Sequence, residues 1–541
     1  MIIKNTTIQN KTKQDRLNNE HIIPSQCIKN KEVYDFLKSL FKYNTSKKNI
    51  IYSIGCELVS GNNNPHLKEF LSQYECDKIE IEGIPKDESD LLGSTYQYLN
   101  TKKENLEKGS FYTGYDISED FLKDLDFSKN QTILDPSCGS GSFLFNSDAK
   151  PEQIYGVDSD PIAVMISKFN YFIKFPNADA PNIYCDDFFK WYLENENNRF
   201  DYIIGNPPYG ATLDLTNIKS TNIISGEIYS YFIEFSCNIL KKSGVLRYLL
   251  PESILNVKKH SDIRNFMLDE VNLKRIKKYK SKFSGVMSDV YMLEIDKNNF
   301  DENLSFTVNK TISIPKRIFR GLKNTVFTYL TEEDISIISK VKNIQRDTLK
   351  DSIFGLGVVT GNNKKKLLNT PVEGSEPIYT GKEVGKYNLL TPNKYIVFDR
   401  SNLQQVAPDT IYRAPSKLIY KTINKKIKIA IDNTATLSTN SANILIPKVE
   451  GVNIYTIMGL LNSELYSYLN IKLFGGVNKV SKENLQFLPI PKLSLEDNVT
   501  IKSLVEQTMK DGDDTKLQKY INENIFDLTK EEIQYIVNSC S

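Results

Sequence analysis

The period of the apolar positions changes three times along the 541-residue chain. Up to about Asn100 apolar residues recur at helical spacing, as in VYDFLKSLF (33–41) and DLLGSTYQYL (90–99). This predicts a small helical N-terminal domain over residues 1–100. From Thr101 to Lys297 short β-rich runs alternate with helix-like stretches, the rhythm of an α/β sheet. From Asn298 to Lys492 short strands, Gly/Asn turns and Lys-rich segments follow without that rhythm, as in GVVTGNNKKKLL and KLIYKTINKKIKIAIDN, and predict a mixed α+β domain. From Leu493 to Ser541 the pattern returns to acid-rich helices such as LTKEEIQYIV. No internal repeat is present.

Four strands of the α/β region each end in polar groups. TILD ends in Asp135, and Pro136-Ser-Cys-Gly139-Ser-Gly141 then turns into a helix. A Gly-rich turn after a first strand lets the backbone approach a nucleotide-like ligand; Leu144 stands where a dinucleotide fingerprint needs a third Gly, which argues against a pyrophosphate. QIYGV ends in Asp158, 23 residues after Asp135, where an acid can accept both hydroxyls of a ribose. IYC ends in Asp186, Asp187 and Phe188, able to bond an adenine edge and cover its face. FDYIIG ends in Asn206-Pro207-Pro208-Tyr209, whose prolines forbid continuation of the ladder and make a rigid loop. Singly, each acid is as apt to cap a helix, and the loop to be a plain Asn-Pro turn. Together, in this order, they point to one edge of a sheet, where ligands of open α/β folds bind.

Composition narrows the setting. The seven cysteines are scattered, odd in number and without a C-x-x-C pair, which fits a reducing cytoplasm and shows no zinc cluster. No apolar leader or membrane-length run is present, so the expectation is a cytoplasmic protein without a membrane partner. The net charge of +2 hides an asymmetry: Lys310 to Lys482 carries 26 Lys and Arg against 13 Asp and Glu. Lys241 to Lys282 carries 12 against 4. One such run is ordinarily a solvated face, but two beside a catalytic core suit a polyanion.

These residues resemble the S-adenosylmethionine-dependent adenine-N6 DNA methyltransferases, in the subclass with cofactor motifs ahead of Asn-Pro-Pro-Tyr and a C-terminal target-recognition domain. The resemblance runs from about Asp87 to the end and is most specific between Gly109 and Gly210. It implies a Rossmann-like methyltransferase sheet over residues 101–297, a recognition domain over 298–492 and a helical tail over 493–541. It also implies that Tyr112 and Thr113 touch the methionine part of S-adenosyl-L-methionine, that Asp135, Pro136, Gly139 and Gly141 surround its amino-acid end, that Asp158 holds the ribose, and that Asp187 and Phe188 take the adenine. Asn206, Pro207, Pro208 and Tyr209 match the catalytic motif without a departure. Phe283 matches, more loosely, a second aromatic against the target base; a core phenylalanine is the alternative. The implied partners are double-stranded DNA and a separately encoded restriction endonuclease.

The chemistry explains the residue types. The exocyclic nitrogen of adenine is a poor nucleophile because its lone pair is delocalised into the ring. Two fixed acceptors, the Asn206 side-chain oxygen and the Pro207 carbonyl, would bond both N–H groups and let the lone pair localise. Tyr209 would stack on a base taken out of the duplex. RNA and protein-glutamine methyltransferases share Asn-Pro-Pro-Tyr but rarely carry so large a basic C-terminal region. The methylase part of a fused restriction enzyme would bring a nuclease centre; Pro408-Asp409 has no nearby (D/E)-x-K, and His21, His66 and His260 are dispersed. A non-catalytic DNA-binding module would not need an intact Asn206–Tyr209.

Overall fold

The computed structural model describes residues 21, 30–85, 90–104, 115–209, 220, 222–224, 227–279, 289–297, 300–320, 323–474 and 479–540. The chain forms two compact units, residues 1–316 and 317–541.

The first unit is built on nine strands: β1 (Ile133–Asp135), β2 (Ile154–Asp158), β3 (Asn182–Cys185), β4 (Phe200–Gly205), β5 (Leu240–Pro251), β6 (Leu273–Tyr279), β7 (Val290–Asp296), β8 (Asn303–Thr307) and β9 (Thr311–Pro315). Their order is β3-β2-β1-β4-β5-β7-β6-β8-β9. The first five run parallel, and β7 inserts antiparallel between β5 and β6. The chain steps outward from β1 through β2 to β3, then returns to β4 on the other side of β1. That reversal opens a crevice at the carboxyl ends of β1 and β4, the usual ligand position of such a sheet. Ile133 pairs with Ile154 on one side and Tyr202 on the other, which sets Asp135 level with the end of β4. The α/β sheet expected from the sequence is present.

Local chemistry accounts for the covering helices. Pro161–Lys174 starts at Asp160, whose side chain accepts from the Ile162 amide at 2.9 Å, with Pro161 preset for the first turn. Its apolar side chains Val164, Met165, Phe169 and Phe172 are buried. Helices Lys31–Ser39, Lys47–Leu58, Pro65–Ser72 and Leu91–Leu99 supply the helical N-terminal region. They do not close a core of their own: Val33, Leu37, Ile51 and Ile54 share one cluster with Phe169, Phe172 and Ile133. A Cβ at Gly55 would lie 2.6 Å from the Phe169 ring, so glycine permits this approach.

The sheet also continues past Lys297. Strands β8 and β9 pair antiparallel, β8 runs parallel to β6, and Lys316 closes the unit with its buried ammonium donating to Asn272 Oδ1 and the Asp301 carbonyl, both at 2.6 Å. The β-α rhythm breaks near residue 298 because a hairpin replaces crossover helices there, while the sheet itself goes on. Between β5 and β7 the Arg247 guanidinium meets Glu294 at 2.8 Å, and both are buried. Arg247 also donates to the carbonyls of Phe121 and Lys123, fixing the carboxyl end of helix Tyr115–Leu122.

The second unit is mixed α+β. Strands β11 (Ile353–Gly355), β17 (Ala442–Ile446), β14 (Lys417–Lys421) and β15 (Ile429–Asp432) form an antiparallel sheet. Strands β13 (Tyr395–Val397), β12 (Ser375–Tyr379) and β16 (Leu437–Ser438) form a mixed sheet, antiparallel between β12 and β13 and parallel between β12 and β16, and β10 (Arg346–Thr348) pairs with β18 (Pro489–Pro491). The last helices belong to this unit. Helix Leu495–Asp511 buries Ile501 and Val505, and a Cβ at Gly459 in helix Ile454–Asn462 would lie 2.7 Å from Val505. No helix of the described residues is long and apolar enough to cross a membrane.

Candidate active site

The turn after β1 is shaped by two glycines in the left-handed region, Gly139 at φ +54° and Gly141 at φ +84°. A Cβ at Gly139 would meet nothing within 4 Å, so the turn leaves open space there, whereas at Gly141 it would strike the Phe145 ring. Asp135 lies beneath the turn, 2% exposed, and its Oδ1 accepts from the Ser137 amide at 3.0 Å. Burial pushes its carboxyl up to about 8; the Ser137 amide opposes this and the Asp158 charge adds to it.

Asp158, at the end of β2, reaches back across the turn. Its Oδ2 accepts from the Gly139 amide at 2.8 Å and its Oδ1 from the Asp160 amide at 2.9 Å. Each carboxylate oxygen has a second lone pair, so the pair of acceptors a ribose needs is compatible with these bonds. Open space over Gly139, a carboxylate at the end of β2 and a buried carboxyl below the turn fit the ribose and the cationic amino-acid end of S-adenosylmethionine. Pro136 is buried in the same turn.

After β3, Asp187 is the N-cap of helix Phe188–Asn195, with Oδ1 accepting from the Phe189 and Lys190 amides at 2.9 and 3.2 Å. The capping role weighed for the acids of the sequence thus applies at Asp187, and Oδ2 has no partner among the described residues. Phe188 is 3% exposed and stacks on Phe232, with centroids 4.8 Å apart. Its ring is part of the packing beneath the strand ends, where aromatic pairs add to burial.

Strand β4 ends against Asp135: a Cβ at Gly205 would lie 2.7 Å from Asp135 Oδ1, so only glycine lets the two strand ends meet. The next residue is Asn206. Pro207 is buried, while Asn206, Pro208 and Tyr209 are half-buried. The Tyr209 hydroxyl sits between two acceptors, Asn206 Oδ1 and the Leu249 carbonyl of β5, the latter at 2.8 Å. Burial raises the Tyr209 phenol, so it stays protonated and donates. Its ring meets the Tyr229 ring edge-on at 6.3 Å, and the Tyr229 hydroxyl bonds His260 Nε2 at 2.6 Å. Buried Glu234 accepts from the Asn222 amide at 3.1 Å and from Ser220 Oγ, anchoring the chain beyond the loop.

The strand-end residues Asp135, Gly139, Gly141, Asp158 and Asn206 therefore share one edge of the sheet. Tyr112, Thr113 and Phe283 lie outside the described residues. The sequence reading missed Tyr229, His260 and Glu234, which support the loop; SGEIYSYFIEF had marked only a continuation of the sheet region.

Residues 152–283 match the family model described as Eco57I restriction-modification methylase, and residues 376–490 match the TaqI-like C-terminal specificity domain. The type II methyltransferase M.VspI of Vibrio sp. (strain 343) is 27% identical over 307 residues, covering 54% of this chain and 74% of that protein. The type II methyltransferase M.BsuBI of Bacillus subtilis is 20% identical over 453 residues, covering 72% and 88%. The type IIL restriction-modification enzyme MmeI, solved in complex with DNA, shares the fold with a TM-score of 0.50 at 12% identity, covering 93% of this chain and 89% of that one. Over these two regions the chain is therefore similar to restriction-modification methylases, with a methylase region followed by a C-terminal specificity domain.

Proposed function

We propose that the protein is a site-specific DNA methyltransferase that methylates N6 of a flipped-out adenine, as the cytoplasmic modification enzyme of a restriction-modification system. The observation that carries this is the placement of Asn206–Tyr209 at the end of β4, directly beside Asp135 and the glycine turn. Bound S-adenosylmethionine supplies an electrophilic methyl group. Asn206 Oδ1 and the Pro207 carbonyl accept from the two amine hydrogens, localising the nitrogen lone pair toward that methyl. Tyr209 offers its ring to the extruded base.

Tritiated methyl transfer to DNA, RNA and protein, followed by sequencing of the DNA for modified adenine, tests the assignment. Label confined to RNA or protein would overturn it. Incubation of the same DNA with magnesium tests for cleavage by a fused nuclease.

Asp158 is the ribose partner in this reading, and Asp158→Ala removes an acceptor for two hydroxyls. Hydrogen bonds to a charged group contribute about 1.5–3 kcal/mol, so cofactor affinity should fall about tenfold or more. Calorimetric titration reads this directly, and an unchanged affinity would mean that the ribose lies elsewhere.

The second unit offers a site for the DNA backbone. A cleft of about 460 Å³ is lined by Thr380, Gly381, Lys382, Asn393, Lys394, Lys421 and Ser441. No acid lines it; Glu383, the acid of the turn, is buried and accepts from Thr380 N and Oγ1, both at 2.7 Å. Lys382, Lys394 and Lys421 have no ion-pair partner among the described residues. Replacing the three by Gln should weaken cognate and non-cognate DNA alike and flatten the salt dependence of binding by ~0.9 in log-log slope for each phosphate no longer neutralised. A wild-type slope retained in the triple variant would remove the cleft from the DNA path.

A further inference from the structure

The helix Leu91–Leu99 holds both loops that would carry the cofactor. At its start Asp90 adopts φ +52°, a strained conformation for a residue other than glycine. Its Oδ1 accepts from the Gly93 amide and from Asn170 Nδ2, both at 2.9 Å, and its Oδ2 from Ser140 Oγ. Asn170, on helix Pro161–Lys174, also donates to the Ser140 carbonyl at 2.9 Å. Ser140 stands between Gly139 and Gly141, so the centre of the glycine turn is gripped at its hydroxyl and its carbonyl. Gly93 permits the arrangement, since a Cβ there would lie 2.4 Å from Asp90 Oδ2.

The same helix reaches the second loop. The Tyr96 hydroxyl donates to Asp160 Oδ2 at 2.6 Å, and the Asp160 amide donates to Asp158 Oδ1. Asp158 in turn accepts from the Gly139 amide. One short helix thereby fixes the turn after β1 and the acid after β2 relative to each other. A turn with two left-handed glycines has many conformations in isolation, and holding one of them lowers the ordering cost of binding.

We infer that Asp90 and Tyr96 are positioning residues for S-adenosylmethionine, so that the N-terminal region is part of the cofactor site. This rests on the cofactor reading given above. The test is calorimetric binding of S-adenosylmethionine and of its demethylated product to the full-length protein, with melting temperature measured alongside. Asp90→Ala should raise both dissociation constants about tenfold, the scale of removing hydrogen bonds to a charged acceptor. Asp90→Asn, which keeps an acceptor for Asn170 and Gly93, should recover most of the affinity. In turnover KM for the cofactor should rise while kcat and DNA affinity stay near wild type.

Tyr96→Phe keeps the ring and removes one bond, and should raise the constants a few-fold; it carries the test if Asp90→Ala does not fold. Wild-type cofactor affinity in Tyr96→Phe and in folded Asp90→Ala would overturn the inference, leaving these residues as braces of the helix. Absence of binding by the wild-type protein would be a different failure, of the cofactor reading itself.

Discussion

Asn206→Ala is expected to slow single-turnover methylation of a one-site duplex by about a hundredfold or more, the size found when one preorganised hydrogen bond to a transition state is removed. Cofactor affinity and melting temperature should stay near wild type. The structure makes this separation sharp. Gly205 and the β1–β4 pairing hold the strand end, and two prolines set the loop, so the backbone has supports other than the Asn206 amide. Within the described residues the amide oxygen accepts from the Tyr209 hydroxyl, and an Ala substitution leaves that hydroxyl the Leu249 carbonyl. If Asn206 only braced a turn, activity would fall with stability, and a folded fraction would methylate at the wild-type rate. That outcome would remove Asn206 from the chemistry.

Local structure was legible in the sequence, and pairings across long separations were not. Asp135, Asp158 and Asn206 stand at strand ends as the sequence led one to expect, because each closes an apolar run and a parallel sheet places such ends on one edge. Asp187 shows the limit of that logic. An acid at a strand end that is also a helix start satisfies two descriptions, and the capping bonds to Phe189 and Lys190 appear only in three dimensions. The bond from Asp90 to Ser140 spans 50 residues and that to Asn170 spans 80, and no periodicity reports on them. Strands β8 and β9 follow the change of rhythm near residue 298, which reads like a boundary because hairpin and crossover patterns differ while the sheet continues.

Tyr209→Ala should cut kcat/KM for DNA about thirtyfold, since stacking of a base on an aromatic ring contributes ~1–3 kcal/mol per base. The loss should appear in capture of the extruded base, read as a weaker fluorescence rise from 2-aminopurine at the target position, with cofactor affinity unchanged. Tyr209→Phe divides the two roles of the side chain. It keeps the ring and removes the hydroxyl that lies between Asn206 Oδ1 and the Leu249 carbonyl. An amide oxygen has two lone pairs, so Tyr209 can hold one while the adenine amine takes the other, and the hydroxyl then orients the acceptor. One neutral hydrogen bond contributes about 0.5–1.5 kcal/mol, so Tyr209→Phe should retain activity within a few-fold of wild type and show a normal 2-aminopurine signal. A Phe variant as impaired as the Ala variant would shift the role of Tyr209 from stacking to the hydroxyl, and would make the Tyr209–Asn206 bond the element that sets the acceptor.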